Sequence, residues 1–182
     1  REVGPSLRVL VSGGARLDPA VAYQLEGLGF EVLSGYGLTE TSPILTFNIR
    51  RRFNHESVGR PLAGVKLRID APARQPAAET AGEAAGEVLA RGPGVFAGYP
   101  GNEEATRQAF TADGWFRTGD VGFLDPAGYL HLVGRVQEII VLADGQKPVP
   151  EEVEPRYAAS PLIREVALLE QEGRLAALVV PD

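Results

Sequence analysis

Two short apolar runs flanking a punctuated helical stretch near the start of the chain constrain its fold more than any other feature. Leu7 to Val11 is β-rich and ends in Ser12-Gly13-Gly14-Ala15. Asp18 stands where a helix N-cap would, with Pro19 at the first helical position, which predicts a helix through about Leu28. Phe30 to Leu33 is the second apolar run. Strand, helix, strand in so short a span implies a parallel pair joined by a right-handed crossover. Both glycine-rich turns, at 12–15 and at Ser34–Gly37, then fall at the carboxyl ends of the strands, the edge at which open α/β sheets bind their ligands.

The second turn lies in the most informative stretch, Leu33 to Pro43, which reads LSGYGLTETSP. Gly35 and Gly37 let backbone approach a ligand closely, and Tyr36 between them offers a flat face to a flat ring. Thr39 and Glu40 supply hard oxygen donors suited to a phosphate-bound Mg²⁺. Ring, phosphate and metal are the parts of a nucleotide site. The same residues also describe a glycine-rich β-turn around a core tyrosine, and the segment alone leaves both readings open.

From Val58 onward the texture changes to short strands and glycine turns. Val65 to Ile69, Glu87 to Ala90 and Tyr129 to Val133 are strand candidates, and their spacing predicts a small barrel-like subdomain. The stretch 71–86, rich in Ala, Pro, Gly and Glu without a periodic apolar face, reads as an exposed, mobile loop. Asn102 is placed to cap a short helix, Glu103 to Phe110, with acidic residues in its first turn where the helix dipole favours them. A boundary follows near 134–138. After it come a strand at Ile139–Leu142, a turn at Asp144-Gly145, a helix from Pro150, and strands near Val166–Glu170 and Leu175–Val180. The expected fold class is mixed α/β and α+β: a parallel α/β piece over 1–57, the barrel-like part over 58–133, a boundary at 134–138, which the resemblance described below makes a hinge, and an α+β piece over 139–182.

Trp115-Phe116-Arg117-Thr118-Gly119-Asp120 is the second informative segment. An ionised carboxylate can accept two hydrogen bonds from a vicinal diol, as proteins do when they grip ribose. Arg135, across a strand, turn and strand, is expected beside Asp120 or on the adjacent rung, where it can bind the same diol or a phosphate. A purely structural Asp–Arg pair at a domain edge is the alternative. His55 and His131 have no partner at metal-ligand spacing and read as structural, His131 alternating with Leu130 and Leu132 as the exposed face of a strand would.

Several function classes drop out on composition. The net charge is −6, so no basic footprint points to nucleic acid. Without cysteine there are no disulfides, zinc–thiolate sites or thiol catalysis, and a reducing compartment is the easier fit. No apolar run approaches the roughly 18 residues of a transmembrane helix. No G-x-S-x-G elbow and no Walker lysine appear, which leaves a triad hydrolase and a P-loop NTPase unsupported. The chain opens on Arg1 and holds no methionine, and it stops at Asp182 just after an apolar run, so it reads as a piece of something longer.

Five segments in order, SGGA at 12–15, GYGLTETSP at 35–43, GEVLARGPGVFAGY at 86–99, GWFRTGDVGFLDPAGYLHLVGR at 114–135 and EIIVLADGQKPVPEEVE at 138–154, resemble the adenylate-forming enzymes: the acyl-CoA synthetases, adenylation domains and luciferases. The hinge region, GRVQEIIVLADGQKPVPEEVE, is most similar to that of long-chain fatty-acid–CoA ligases. The resemblance covers nearly the whole chain except the loop at 71–86. It implies that 1–57 is the last strand–helix–strand of a large N-terminal α/β subdomain and 139–182 the start of a small C-terminal domain. The implied reaction takes ATP and a fatty acid to acyl-AMP and pyrophosphate, then transfers the acyl group to coenzyme A. By family position Gly14 and Ala15 would pass beside the adenine and Tyr36 would lie against its face, with Gly37 in the same binding turn. Thr39 would bind a phosphate and Glu40 the Mg²⁺, both as catalytic residues, while Asp120 would hold the ribose hydroxyls and Arg135 the ribose or phosphate. Gln137 departs from the aspartate or lysine usual at the hinge.

The family's phosphate loop and its adenylation lysine have no counterpart in the sequence, and Lys147 reads as a surface loop lysine. The chain by itself is therefore expected to be inactive in both half-reactions. The alternatives are an acyl-AMP ligase that loads a carrier protein and a non-catalytic nucleotide-binding or interaction module. The full-length protein is expected to be cytoplasmic, with peripheral membrane association left open and the oligomeric state not given by sequence.

Overall fold

The computed structural model describes residues 6–15, 17–50, 54–70, 85–140, 142, 143, 146 and 148–182. Strand β1 (Val9–Ser12) leads into helix α1 (Pro19–Gly27) and then β2 (Glu31–Tyr36). The helix starts as the sequence predicts: the Asp18 side chain accepts from Ala20 N at 2.8 Å, and Pro19, lacking an N–H, sits where none is needed. It stops at Gly27, and Gly29 N–H donates to the Glu26 carbonyl at 2.8 Å to close its end. β1 and β2 are parallel, with Ser12 beside Ser34.

β2 runs further than its apolar core implies. Gly35 and Tyr36 pair antiparallel with Phe47 and Thr46 of β3 (Thr46–Phe47), which pairs in turn with β4 (Arg60–Pro61). The expected turn at Ser34–Gly37 is thus still strand through Tyr36, because a returning segment supplies ladder partners that local composition does not reveal. β4 ends the sheet, as suits a proline that cannot donate to a further strand. Ala22 of the helix, Val32 and Leu33 of β2, and Leu45 are buried, the larger of them contributing about 1.5–3 kcal/mol each.

A second four-stranded sheet has the order β5 (Lys66–Asp70), β6 (Gly86–Arg91), β7 (Phe116–Leu124), β8 (Leu130–Arg135). Among the described residues it is open, with β5 and β8 as its edges, so the short strands do not close into a barrel. Gly86 is the first residue of β6 rather than the end of a loop; the rest of the expected loop, 71–84, lies outside the described residues. β7 and β8 are joined by a turn in which Gly128 N–H donates to the Asp125 carbonyl at 2.8 Å, a connection short enough only for an antiparallel pair. Helix α2 (Glu103–Ala109) is capped as predicted, the Asn102 side chain accepting from Ala105 N at 3.0 Å.

The chain divides into two compact units. The first holds residues 1–68, 89–118 and 124–132. Its buried side chains include Leu89, Phe116 and Leu130, and Phe96, Tyr99, Phe110 and Phe116 form a chain of ring contacts at 4.8 to 5.8 Å. The second unit holds residues 69–88, 119–123 and 133–182. Ala85, Val121, Phe123 and Val133 make its core cluster, with Ile139 and Val149 packed against it. Helix α3 (Pro150–Ala158) precedes the antiparallel hairpin of β9 (Ile163–Gln171) and β10 (Arg174–Pro181), and the Glu154 side chain accepts from Leu168 N at 2.8 Å.

The expected strand at Ile139–Leu142 is not one among its described residues. Ile140 N–H reaches the Pro148 carbonyl at 3.2 Å and Leu142 N–H the Gln146 carbonyl at 2.9 Å. Pro148 and Pro150 have no N–H to return, so the facing segment cannot complete a ladder. The turn at Asp144-Gly145 and Lys147 lie outside the described residues. Among the described residues no helix is long and apolar enough to cross a membrane.

Candidate functional site

The turn that follows β2 is built by close backbone approach. A Cβ at Gly37 would stand 2.0 Å from the Pro43 carbonyl oxygen and 2.8 Å from Ile44 Cα, so only glycine fits without moving the chain. Leu45 N–H donates to the Tyr36 carbonyl at 2.7 Å and closes the excursion. Inside it Thr39–Thr41 forms one 3-10 turn. Its fixed point is Thr41, whose hydroxyl accepts from Leu38 N and donates to the Leu38 carbonyl, both at 2.9 Å. Thr41 is buried, Thr39 exposed and Glu40 half-buried. The anchored residue is therefore not one of the predicted pair, but it presents both. At the neighbouring strand end Gly14 and Ala15 are exposed. A Cβ at Gly13 would lie 3.7 Å from the Gly35 carbonyl oxygen, which places the Gly13 turn beside the carboxyl-terminal residues of β2. Tyr36 is buried, with 9% of its surface exposed.

Glu40 is held at both ends. Its backbone carbonyl accepts from Phe96 N at 2.8 Å, and its Oε1 accepts from the Tyr99 hydroxyl at 3.1 Å. Burial, reinforced by the hydrogen bond and the negative charge of Glu40, raises the Tyr99 phenol above the ordinary tyrosine range. Tyr99 lies in the GEVLARGPGVFAGY segment, but the sequence around it assigns it no role. A lone tyrosine after glycine carries no signal of a partner 59 positions earlier in the sequence.

In the second unit, Arg135 Nε lies 2.9 Å from Asp120 Oδ1, as the strand–turn–strand spacing predicts. The Asp120 side chain is 8% exposed and that of Arg135 54%. Gly119, immediately before Asp120, takes φ +73 within β7, a conformation that side chains rarely adopt. Arg135 closes β8 and opens the 3-10 turn Val136–Glu138, whose residues are all exposed.

His131 differs from expectation in its surroundings. His131 does not face solvent: its Nδ1 is 3.1 Å from the Glu56 carbonyl and its Nε2 3.1 Å from Asp125 Oδ2. Burial acts to raise the Asp125 carboxyl, but the Tyr129 N–H and His131 outweigh it and hold the group below the ordinary carboxylate range. His55 is buried, 3.0 Å from Glu26 Oε2 and edge-on to Tyr23. In the same unit, Arg68 and Arg91 lie over the Trp115 ring at 4.9 and 4.8 Å, so that aromatic is engaged by the chain's own cations.

Among the described residues no three His, Cys, Asp or Glu side chains gather as a metal cage. Half-exposed Glu40 and the adjacent exposed Thr39 carry the kinds of hard oxygen donor that a phosphate-bound Mg²⁺ takes.

Residues 1–100 match the family described as AMP-binding enzyme. A long-chain-fatty-acid–CoA ligase, FadD15 of Mycobacterium bovis, is 38% identical over 181 residues, covering 99% of this chain and 28% of the relative. A chloroplastic long-chain-fatty-acid–[acyl-carrier-protein] ligase of Arabidopsis thaliana, AEE15, is 32% identical over 94% of this chain and 25% of its own length. Among solved structures, ATP-bound MatB from Rhodopseudomonas palustris superposes with a TM-score of 0.79 at 30% identity, covering 98% of this chain and 38% of that one. The chain thus spans between a quarter and two-fifths of the length of these proteins.

Proposed function

Because the chain belongs to the AMP-binding enzyme family, we propose that it is part of an ATP-dependent ligase that activates a long-chain fatty acid as acyl-AMP and passes it to coenzyme A. The observation that carries this reading is the Gly37-tightened turn after β2, which presents the Thr39 hydroxyl and holds the Glu40 carboxylate at the sheet edge where α/β proteins bind nucleotides.

In this reading Thr39 donates to a phosphate and Glu40 supplies the carboxylate that holds Mg²⁺. When bound, the ion neutralises charge on the phosphates. The fatty-acid carboxylate oxygen bonds to the α-phosphorus as the bond to pyrophosphate breaks. The thiol of coenzyme A then attacks the acyl carbon and AMP leaves. Asp120 accepts from the ribose hydroxyls, and Arg135, paired with it, donates to ribose or phosphate. Gly14, Ala15 and Gly37 bring backbone alongside the nucleotide. Tyr36 would meet adenine only over the small part of its ring left exposed. Residues 134–138 act as the hinge between domains, and the exposed 3-10 turn Val136–Glu138 within them is able to absorb a φ/ψ change.

Supplying the full-length protein with palmitate, ATP, Mg²⁺ and either coenzyme A or an acyl carrier protein tests this. AMP and palmitoyl-CoA are the expected products. Palmitoyl-carrier protein instead would favour the second reading, an acyl-AMP ligase, which the AEE15 similarity supports. Nucleotide binding without turnover would leave the non-catalytic reading.

A further inference from the structure

The hydroxyl of Tyr99 donates to the carboxylate of the proposed metal ligand, and several local hydrogen bonds aim it. Both backbone groups of Tyr99 are engaged: its N–H donates to Thr106 Oγ1 at 2.9 Å, and its carbonyl accepts from Asn102 N at 3.1 Å. Thr106 is fixed by α2, where its hydroxyl also donates to the Asn102 carbonyl at 2.9 Å. The ring packs edge-on against Phe96, 4.8 Å between centroids. Phe96 in turn gives its N–H to the Glu40 carbonyl. Upstream, a Cβ at Gly94 would stand 2.7 Å from the Thr41 carbonyl oxygen, so the loop carrying Phe96 and Tyr99 lies directly on the Thr39–Thr41 turn. Backbone and side chain of Glu40 are thus set by one loop, itself set by one capped helix.

We propose that Tyr99 is a positioning residue for Glu40: its phenol takes Oε1 and fixes the carboxylate plane, leaving Oε2 to face a phosphate-bound divalent cation. The proposal rests on the reading of Glu40 as the cation ligand. A carboxylate on a half-exposed glutamate otherwise samples several rotamers, and a cation that prefers strict geometry gains when one is selected in advance. The hydroxyl acts through Glu40 and touches neither nucleotide nor cation.

Paramagnetic broadening by Mn²⁺·ATP in the ¹⁵N-labelled chain tests this, since it registers even millimolar binding. In the wild-type chain the amide signals of Glu40, Thr41 and Phe96 are expected to broaden first. Tyr99→Phe keeps the ring against Phe96 and should shift the broadening midpoint to about three- to tenfold higher Mn²⁺·ATP, with signals remote from the turn unmoved. Glu40→Gln should abolish the selective broadening. A Tyr99→Phe midpoint equal to wild type overturns the positioning role while leaving Glu40 as ligand. Selective broadening that survives Glu40→Gln, or is missing from the wild type, overturns the proposal through the metal assignment instead.

Discussion

Asp120 Oδ1 and Arg135 Nε meet at 2.9 Å across β7 and β8, a carboxylate that is nearly buried paired with a guanidinium that is mostly in water. The pair is therefore unequal. Removing the arginine strips a strong donor from a group with little water around it, while removing the carboxylate leaves an arginine that solvent can still satisfy. Arg135→Ala is expected to lower unfolding stability by about 1–3 kcal/mol, and Arg135→Lys by less. Urea denaturation of the chain measures both. Equal stability of wild type and Arg135→Ala would mean that the pair contributes nothing in solution.

Gly37 and Gly27 make a matched contrast. A Cβ at Gly37 meets the Pro43 carbonyl at 2.0 Å, while one at Gly27 meets nothing within 4 Å. Gly37→Ala should cost about 1–3 kcal/mol or more through a forced backbone shift. Gly27→Ala, at the last residue of α1, should be neutral or stabilising by up to about 1 kcal/mol. Thermal unfolding of the two variants checks the sign of each.

Asp125 supplies a pH test. Its folded-state carboxyl is held below the ordinary range, burial being outweighed by Tyr129 N–H and His131. A depressed carboxylate contributes stability above its unfolded pKa and loses it as pH falls through the folded value. Asp125→Asn keeps an acceptor for Tyr129 N–H but removes the charge. It should destabilise the chain at pH 7 by about 1 kcal/mol and approach wild type below about pH 3. A gap independent of pH between 3 and 7 would show that charge plays no part.

What local signals determine was legible in advance. Asp18-Pro19 and Asn102 start their helices where the sequence places them, because a cap acts on its own first turn. The Asp120–Arg135 pair follows from the spacing of one hairpin, a nearly local relation. Features made by distant partners were not legible. Tyr36 stays in a strand because Thr46 returns to pair with it. Ile139–Leu142 fails as a strand because the segment facing it carries prolines. His131, patterned as a surface residue, is drawn in by Asp125 and Glu56, and Tyr99 reaches Glu40 only through the fold.

The chain by itself is expected to bind ATP·Mg²⁺ weakly, since it spans only 28% of the FadD15 relative. Calorimetry should give a dissociation constant weaker than about 1 μM, or no heat; 1 μM corresponds to roughly −8 kcal/mol. A sub-micromolar value would mean that these 182 residues hold a complete nucleotide site.

Acid-dependent pyrophosphate release by the full-length protein, compared between wild type and Glu40→Gln, bears most directly on the assignment of the β2 turn to nucleotide activation. Release with palmitate, ATP and Mg²⁺ is predicted for the wild type, falling by about 10²-fold or more in the variant. An unaltered rate in Glu40→Gln, or no acid-dependent release from the wild type, would contradict it.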